Sequence, residues 1–104
     1  MRRFGQHAVL KPECVEKYQR LHAAVWPKVL ETIAQCNLRN YSIYITGTDL
    51  FAYCEYVGSD YAADMARMDA DPITQEWWKH TKPCFRRHSE NTYYLDMEEI
   101  FHQD

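Results

Sequence analysis

The chain has 104 residues, 46% of them apolar and 26% charged, with a formal net charge of −3. That length supports one compact domain over residues 1–104, with roughly 65% of the unfolded surface buried, and the composition excludes disorder. The mildly acidic balance excludes a phosphate-tracking nucleic-acid surface, and no apolar run reaches the length of a membrane span.

Aromatic residues make up 14% of the chain, including eight Tyr and three Trp. Such rings offer flat apolar area with a polar edge, suited to packing, to an interface or to a sugar. Cys14, Cys36, Cys54 and Cys84 lie far apart with no C-x-x-C pair. That spacing argues against a structural metal and for reduced, mostly buried thiols in a cytoplasmic protein. Arg2-Arg3 is followed by no apolar segment, which excludes a signal peptide and a twin-arginine export signal.

Residues 3–10 alternate loosely and predict a strand, with Phe4, Ala8 and Leu10 on one face and His7 half-exposed on the other. Lys11-Pro12 opens a helical region, with Glu13 and Glu16 at the positive end of the helix dipole. Within it Tyr18, His22 and Trp26 recur every fourth residue, so Tyr18 and His22 share a face. Pro27 has no amide hydrogen and pushes Trp26 out of the α region, which predicts a break near Val25–Trp26 and a restart at Pro27. A titratable ring beside a phenol at a helix break is a candidate catalytic pair, and equally a piece of core; Trp26 reads as structural. Val29, Leu30, Ile33 and Ala34 then make one apolar stripe, and Asn37 is a stop signal.

Residues 40–46 alternate strictly, with Tyr41, Ile43 and Ile45 on one face. Gly47-Thr48-Asp49 turns the chain, and residues 50–57 return as the hairpin partner. Phe51, Tyr53, Glu55 and Val57 share a face there. Burial without a cation would raise the Glu55 pKa; an edge salt bridge is the favoured alternative. Ser59 is the expected cap of a helix carrying Tyr61, Met65 and Met68, a methionine stripe that reads as core. Asp71-Pro72 starts a second helix bearing Trp77-Trp78. Adjacent helix positions point about 100° apart, so one indole packs while the other lines a pocket. The basic run Lys79-His80-Thr81-Lys82 with Arg86-Arg87-His88 reads as a solvated helix end and loop. Residues 81–92 read as loop and residues 93–101 as a last strand. Strand, helix, strand, strand, helix, strand is the α+β, ferredoxin-like split βαβ sandwich: an antiparallel sheet with helices on one face. Its uncovered face predicts pairing of two sheets in a homodimer, a dimeric α+β barrel.

The motif Tyr18-x-x-x-His22-x-x-x-Trp26-Pro27, then Asn40-Tyr41-Ser42-Ile43-Tyr44, then Trp77-Trp78-Lys79, resembles the L-rhamnose mutarotase family in order and separation. The ending Glu98-Glu99-Ile100-Phe101-His102 fits it too, so the resemblance spans essentially the whole chain. It implies a dimeric isomerase that interconverts the α and β anomers of a 6-deoxyhexose without cofactor or metal. It further implies His22 as proton donor, with Tyr18, Tyr41, Trp77 and Trp78 binding the sugar. Lys82-Pro83-Cys84-Phe85-Arg86-Arg87 departs from the Asn/Pro/Asp-rich loop of the family, which leaves the choice of sugar open.

The chemistry is compatible with these residue types. Ring opening needs a proton on the ring oxygen and removal of one from the anomeric hydroxyl, each assisted about 10²–10⁴-fold by a positioned acid or base. Histidine, with an ordinary pKa of about 6.5, serves either role, and Tyr18 orients or relays the proton. Glu55, Tyr41, Tyr18 and a water stand open as the second group. An L-fucose mutarotase, a haem- or quinone-oxidising barrel of the same fold, and a non-catalytic sugar-binding module are the competing readings.

Overall fold

The computed structural model describes residues 1–88 and 92–104. Its elements are β1 (Arg2–Leu10), α1 (Val15–Ala23), α2 (Pro27–Gln35), β2 (Leu38–Thr46), β3 (Asp49–Tyr56), α3 (Tyr61–Ala70), α4 (Pro72–Thr81), β4 (Phe85–Arg86) and β5 (Leu95–Met97). Single 3-10 turns at Pro12–Cys14 and Lys82–Cys84 lead into α1 and β4. The strands form one sheet in the order β2-β3-β1-β4, with β5 also paired to β1, and every pairing is antiparallel. This is the expected split βαβ arrangement, with β3 inserted between β1 and β2.

Strand alternation sorts the two faces. Ala8, Leu10, Leu50, Ala52 and Tyr56 are buried. Ile43 and Ile45 share their side because they stand opposite Ala52 and Leu50. Tyr18 from α1, with Cys84 and Phe85, completes the main core cluster around Ala8, Leu10 and Leu50. The helices therefore cover this face.

One irregularity sets the phase of β2. Arg39 stands opposite Glu55 and Ser42 opposite Tyr53, so Asn40 and Tyr41 together face one position of β3. Asn40 adopts φ 51, a left-handed conformation that asparagine tolerates. The extra residue turns Tyr41, Ile43 and Ile45 to the same side as buried Leu38. Without it, the alternation running from Leu38 would put Ser42 inward and Tyr41 outward.

The helix punctuation follows the sequence with three shifts. Pro27 heads α2 and Trp26 is extended at φ −60, ψ 133, yet α1 already stops at Ala23. The Ala24 amide bonds to the Leu21 carbonyl at 3.3 Å, tightening the last turn before the proline. Asp60, not Ser59, caps α3, since its carboxylate reaches the Ala63 amide at 3.1 Å. On α2 the buried line runs through Val29 to Cys36, while Leu30 and Ala34 are exposed. Asn37 at φ 67 ends that segment, and Asp71 caps α4 as expected, accepting from the Thr74 amide and hydroxyl.

The C-terminal part differs more. The stretch expected as loop over 81–92 opens with the end of α4, a 3-10 turn and β4, because Phe85 is buried and pairs with Leu10. The strand expected over 93–101 contracts to Leu95–Met97. Tyr93 and Tyr94 both pack against the core, and consecutive inward residues break the period of a strand. Residues 89–91 of the expected loop lie outside the described residues.

The second sheet face carries His7, Phe51, Tyr53 and Glu55. His7 lies 2.8 Å from Asp49 there. Glu55 accepts from the Tyr53 hydroxyl at 2.6 Å and the Asn40 amide at 2.8 Å, and these bonds hold its carboxyl below the usual range. Two neutral donors thus replace the expected edge ion pair. All four cysteines are free thiols, with Cys36 and Cys84 buried and Cys14 and Cys54 partly so.

Trp77 is 5% exposed and meets Trp26 edge-on at 5.2 Å, whereas Trp78 is only half-buried. Replacing Trp77 by Ala is therefore expected to cost about 3–5 kcal/mol in urea unfolding followed by circular dichroism. Trp78→Ala should cost clearly less. Equal losses would show that both indoles carry the core.

Candidate active site

Between the helices and the covered sheet face lies a cavity of about 410 Å³. That volume falls within the range of small-molecule pockets, about 300–1,000 Å³. The structure brings all five residues singled out in the sequence to its wall: Tyr18 and His22 from α1, Tyr41 from β2, Trp77 and Trp78 from α4. Val29, Leu30, Ile33 and Met68 supply apolar wall, and Thr74 and Thr81 supply hydroxyls. Met68 thus serves a pocket as well as packing. Trp26 stays outside this wall and packs on Trp77 and His80.

The helical spacing of Tyr18 and His22 becomes a stacked pair, with ring centroids 4.1 Å apart and planes at 29°. Trp77 also meets the imidazole edge-on, with centroids 5.4 Å apart. His22 Nδ1 lies 3.0 Å from the Tyr18 carbonyl oxygen. A carbonyl only accepts, so Nδ1 carries the proton and the neutral ring keeps its lone pair on Nε2. Burial pushes the His22 pKa below its ordinary value, partly offset by that backbone bond. At neutral pH the ring is therefore uncharged.

Phenols surround it. Burial pushes the Tyr18 hydroxyl up to about 12. The Tyr18 hydroxyl lies 3.3 Å from that of Tyr94. Tyr41 leaves 41% of its surface exposed, yet burial raises its pKa well above the ordinary value. The two observations agree if the ring edge faces solvent while the hydroxyl points inward, toward Tyr94. Burial raises Tyr94 as well. Glu55 is not part of the described wall, because strand alternation beside buried Tyr56 turns it to the opposite face.

At the mouth, the Lys82 ammonium sits over the Trp78 ring, 4.4 Å from its centroid. Lys82 is the one fixed charge among the described wall residues, and no carboxylate lines the cavity among them. Among the described residues no group of three or more His, Cys, Asp or Glu is placed to hold a metal. The arrangement offers one imidazole acceptor, several hydroxyl donors and indole faces. It can bind a small polyol by stacking and hydrogen bonding and move protons on it.

Sequence reasoning missed Lys82, Tyr93 and Tyr94 as wall residues. Lys82 lay in a run read as solvated, and the two tyrosines in a stretch read as strand. An aromatic doublet at the end of a polar basic segment was the available signal, parallel to Trp77-Trp78.

A model of the L-rhamnose mutarotase family matches residues 3–103. An L-rhamnose mutarotase from Listeria monocytogenes is 32% identical over 105 residues, 98% of each chain. In structure, an L-rhamnose mutarotase from Formosa agariphila superposes with a TM-score of 0.80 over 100% of both chains, at 20% identity. A type-II polyketide cyclase, tetracenomycin F2 cyclase from Streptomyces glaucescens, reaches a TM-score of 0.71 over 100% of this chain and 98% of its own at 12% identity, a likeness of fold alone. A family match running nearly from end to end, with a relative of this identity over the same span, places the chain in the L-rhamnose mutarotase family.

Proposed function

We propose that the protein is an isomerase that interconverts the α and β anomers of L-rhamnose. The observation that carries this reading is His22: a neutral imidazole whose Nε2 lone pair has no partner among the described residues, in a cavity walled by phenols and indoles. Opening begins when Nε2 takes the proton of the anomeric hydroxyl while a phenol or a water protonates the ring oxygen. The C1–O5 bond breaks and C1 becomes a carbonyl. Rotation about C1–C2 presents the other face, and closure returns both protons. The imidazolium formed on opening is then the proton donor that the resemblance assigns to His22. Tyr18, Tyr41, Trp77 and Trp78 bind the sugar, with the indoles against its C–H face and 6-methyl group.

Proton transfer alone suffices for this chemistry, so the reading needs no cofactor. The substrate is a free monosaccharide, and the reading includes no nucleic acid or membrane partner. We place the protein in the cytoplasm and in L-rhamnose metabolism; no helix of the described residues is long and apolar enough to cross a membrane. Lys82, in the segment that departs from the family, reads a sugar hydroxyl at the mouth and bears on the choice between L-rhamnose and L-fucose, which differ at C2 and C4.

The active unit is a homodimer. Tyr44 and Phe51 stand opposite each other on the uncovered sheet face, and Leu95 and Met97 extend that face across β1. They are 66%, 39%, 50% and 43% exposed. Stacking two such faces would remove this apolar area from water.

Anomer exchange measured by NMR magnetisation transfer tests the reading. L-rhamnose should exchange faster than in buffer and faster than L-fucose, and His22→Ala should lose at least about 100-fold. Exchange at the buffer rate would reject it. A Soret band in the purified protein would favour the haem-dependent alternative, and L-rhamnose binding without acceleration would indicate a binding module. Because burial lowers the His22 pKa, its neutral form persists to more acid pH than for a free histidine. The rate should stay level down through pH ~6.5 and fall only below it. No alkaline fall is expected near pH 9, since the Tyr18 hydroxyl titrates at about 12. A fall centred above pH ~7 would contradict the buried neutral base. Phe51→Lys should convert the dimer to monomer in sedimentation velocity; an unchanged dimer would mean another face is used.

A further inference from the structure

Tyr94 is a wall residue to which the mutarotase reading gives no part. It lies just before β5, and its ring packs on buried Phe85 at 5.2 Å between centroids. Phe85 in turn meets Tyr18 edge-on at 5.4 Å. The core therefore holds the two phenols side by side, with their hydroxyls 3.3 Å apart in the cavity wall. Tyr18 also stacks on His22. Tyr94, Tyr18 and the imidazole make one contiguous row.

Hydrogen-bond counting shows what this row offers. A phenol has one proton to give and lone pairs to accept with. One proton is spent between the two hydroxyls, so the pair has one O–H left to donate. Among the described residues neither hydroxyl has a further partner. The remaining O–H is thus available to a ligand oxygen. Two linked hydroxyls also polarise one another, so the outward donor is stronger than a single phenol.

Resting on the mutarotase reading, we propose that Tyr94 is a positioning residue for the proton transfer: it donates to the Tyr18 hydroxyl and so aims the Tyr18 O–H at the ring oxygen of the sugar. Opening breaks C1–O5 and O1–H and forms the C1 carbonyl, O5–H and Nε2–H. The proton on O5 comes from Tyr18. The negative charge left on the Tyr18 oxygen is shared with Tyr94 through their hydrogen bond and faces the His22 imidazolium. Closure returns both protons, and no co-reactant is consumed. Sharing matters because burial makes a lone Tyr18 phenolate costly, and the bond from Tyr94 pulls in the opposite direction. This supplies the second group that the sequence left open among Tyr18, Tyr41, Glu55 and water.

Tyr94→Phe removes one hydroxyl and keeps the ring on Phe85. Its L-rhamnose exchange should be compared by NMR with wild type, Tyr18→Phe and the double variant, with kcat and KM separated. We expect Tyr94→Phe to lower kcat about tenfold or more, less than the roughly 10²–10⁴-fold of a positioned acid itself, and to leave KM within about twofold. The double variant should be no slower than Tyr18→Phe alone, because Tyr94 acts through Tyr18. A purely structural role would instead lower the melting temperature and leave kcat of the folded enzyme unchanged. Wild-type kcat in Tyr94→Phe, or losses that multiply in the double variant, would overturn the proposal. Wild type with no acceleration over buffer would remove the mutarotase reading, and this proposal with it, an outcome distinct from an active wild type with an indifferent Tyr94.

Discussion

The contact between Tyr18 and its neighbours is the point on which both fold and site depend. Its ring is 4% exposed and belongs to the main core cluster, with Ala8, Leu10, Leu50, Cys84 and Phe85. The same ring stacks on His22, and its hydroxyl lies 3.3 Å from that of Tyr94, another residue of the cavity wall. A phenol is suited to this double duty because one end is apolar and the other must find a hydrogen-bond partner when buried. Leaving that hydroxyl unpaired would cost about 1–3 kcal/mol, so the core that holds Tyr18 also demands a partner such as Tyr94. Stability and site geometry are coupled through one side chain.

Electrostatically the cavity is spare. It has an uncharged imidazole, hydroxyls whose pKa values burial raises, and one ammonium at the mouth held on an indole. Such a wall suits chemistry in which protons move and no stable charge accumulates. A nearby carboxylate would favour imidazolium and take the lone pair off Nε2 at neutral pH. Glu55, the carboxylate nearest in sequence logic, is instead kept on the far sheet face by strand alternation and engaged by Tyr53 and Asn40. A polyketide cyclase shares the fold, and a shared scaffold does not by itself assign a reaction.

Local signals were read well where one short-range rule governs. Pro27 forces Trp26 to be extended, Asn37 takes a left-handed conformation, Asp71 caps α4, and four-residue spacing stacks His22 on Tyr18. They were read poorly where packing overrides pattern. Leu30 belongs by period to the apolar stripe of α2 yet lies at the rim, because the helix turns its Val29–Cys36 line to the core. Tyr93 and Tyr94 carry strand propensity yet both turn inward, leaving only Leu95–Met97 to pair with β1. The bulge at Asn40 lies between these cases. The alternation of Tyr41, Ile43 and Ile45 was visible, but the extra residue that brings them into line with Leu38 was not.

By itself, then, the sequence determined the order of elements as far as α4, the α+β class, the family, and the pairing of a phenol with an imidazole on one helix turn. These depend on residues near one another in the chain, or on a pattern kept over its whole length. Only the tertiary structure decided which tyrosine meets which. Tyr18 and Tyr94 are separated by 76 positions, and no periodicity relates them. Their contact exists because β4 and β5 return to the same strand, β1, and Tyr93 and Tyr94, just before β5, pack against the core. The tautomer of His22 and the exclusion of Glu55 likewise follow from where a carbonyl and a sheet face happen to lie in space.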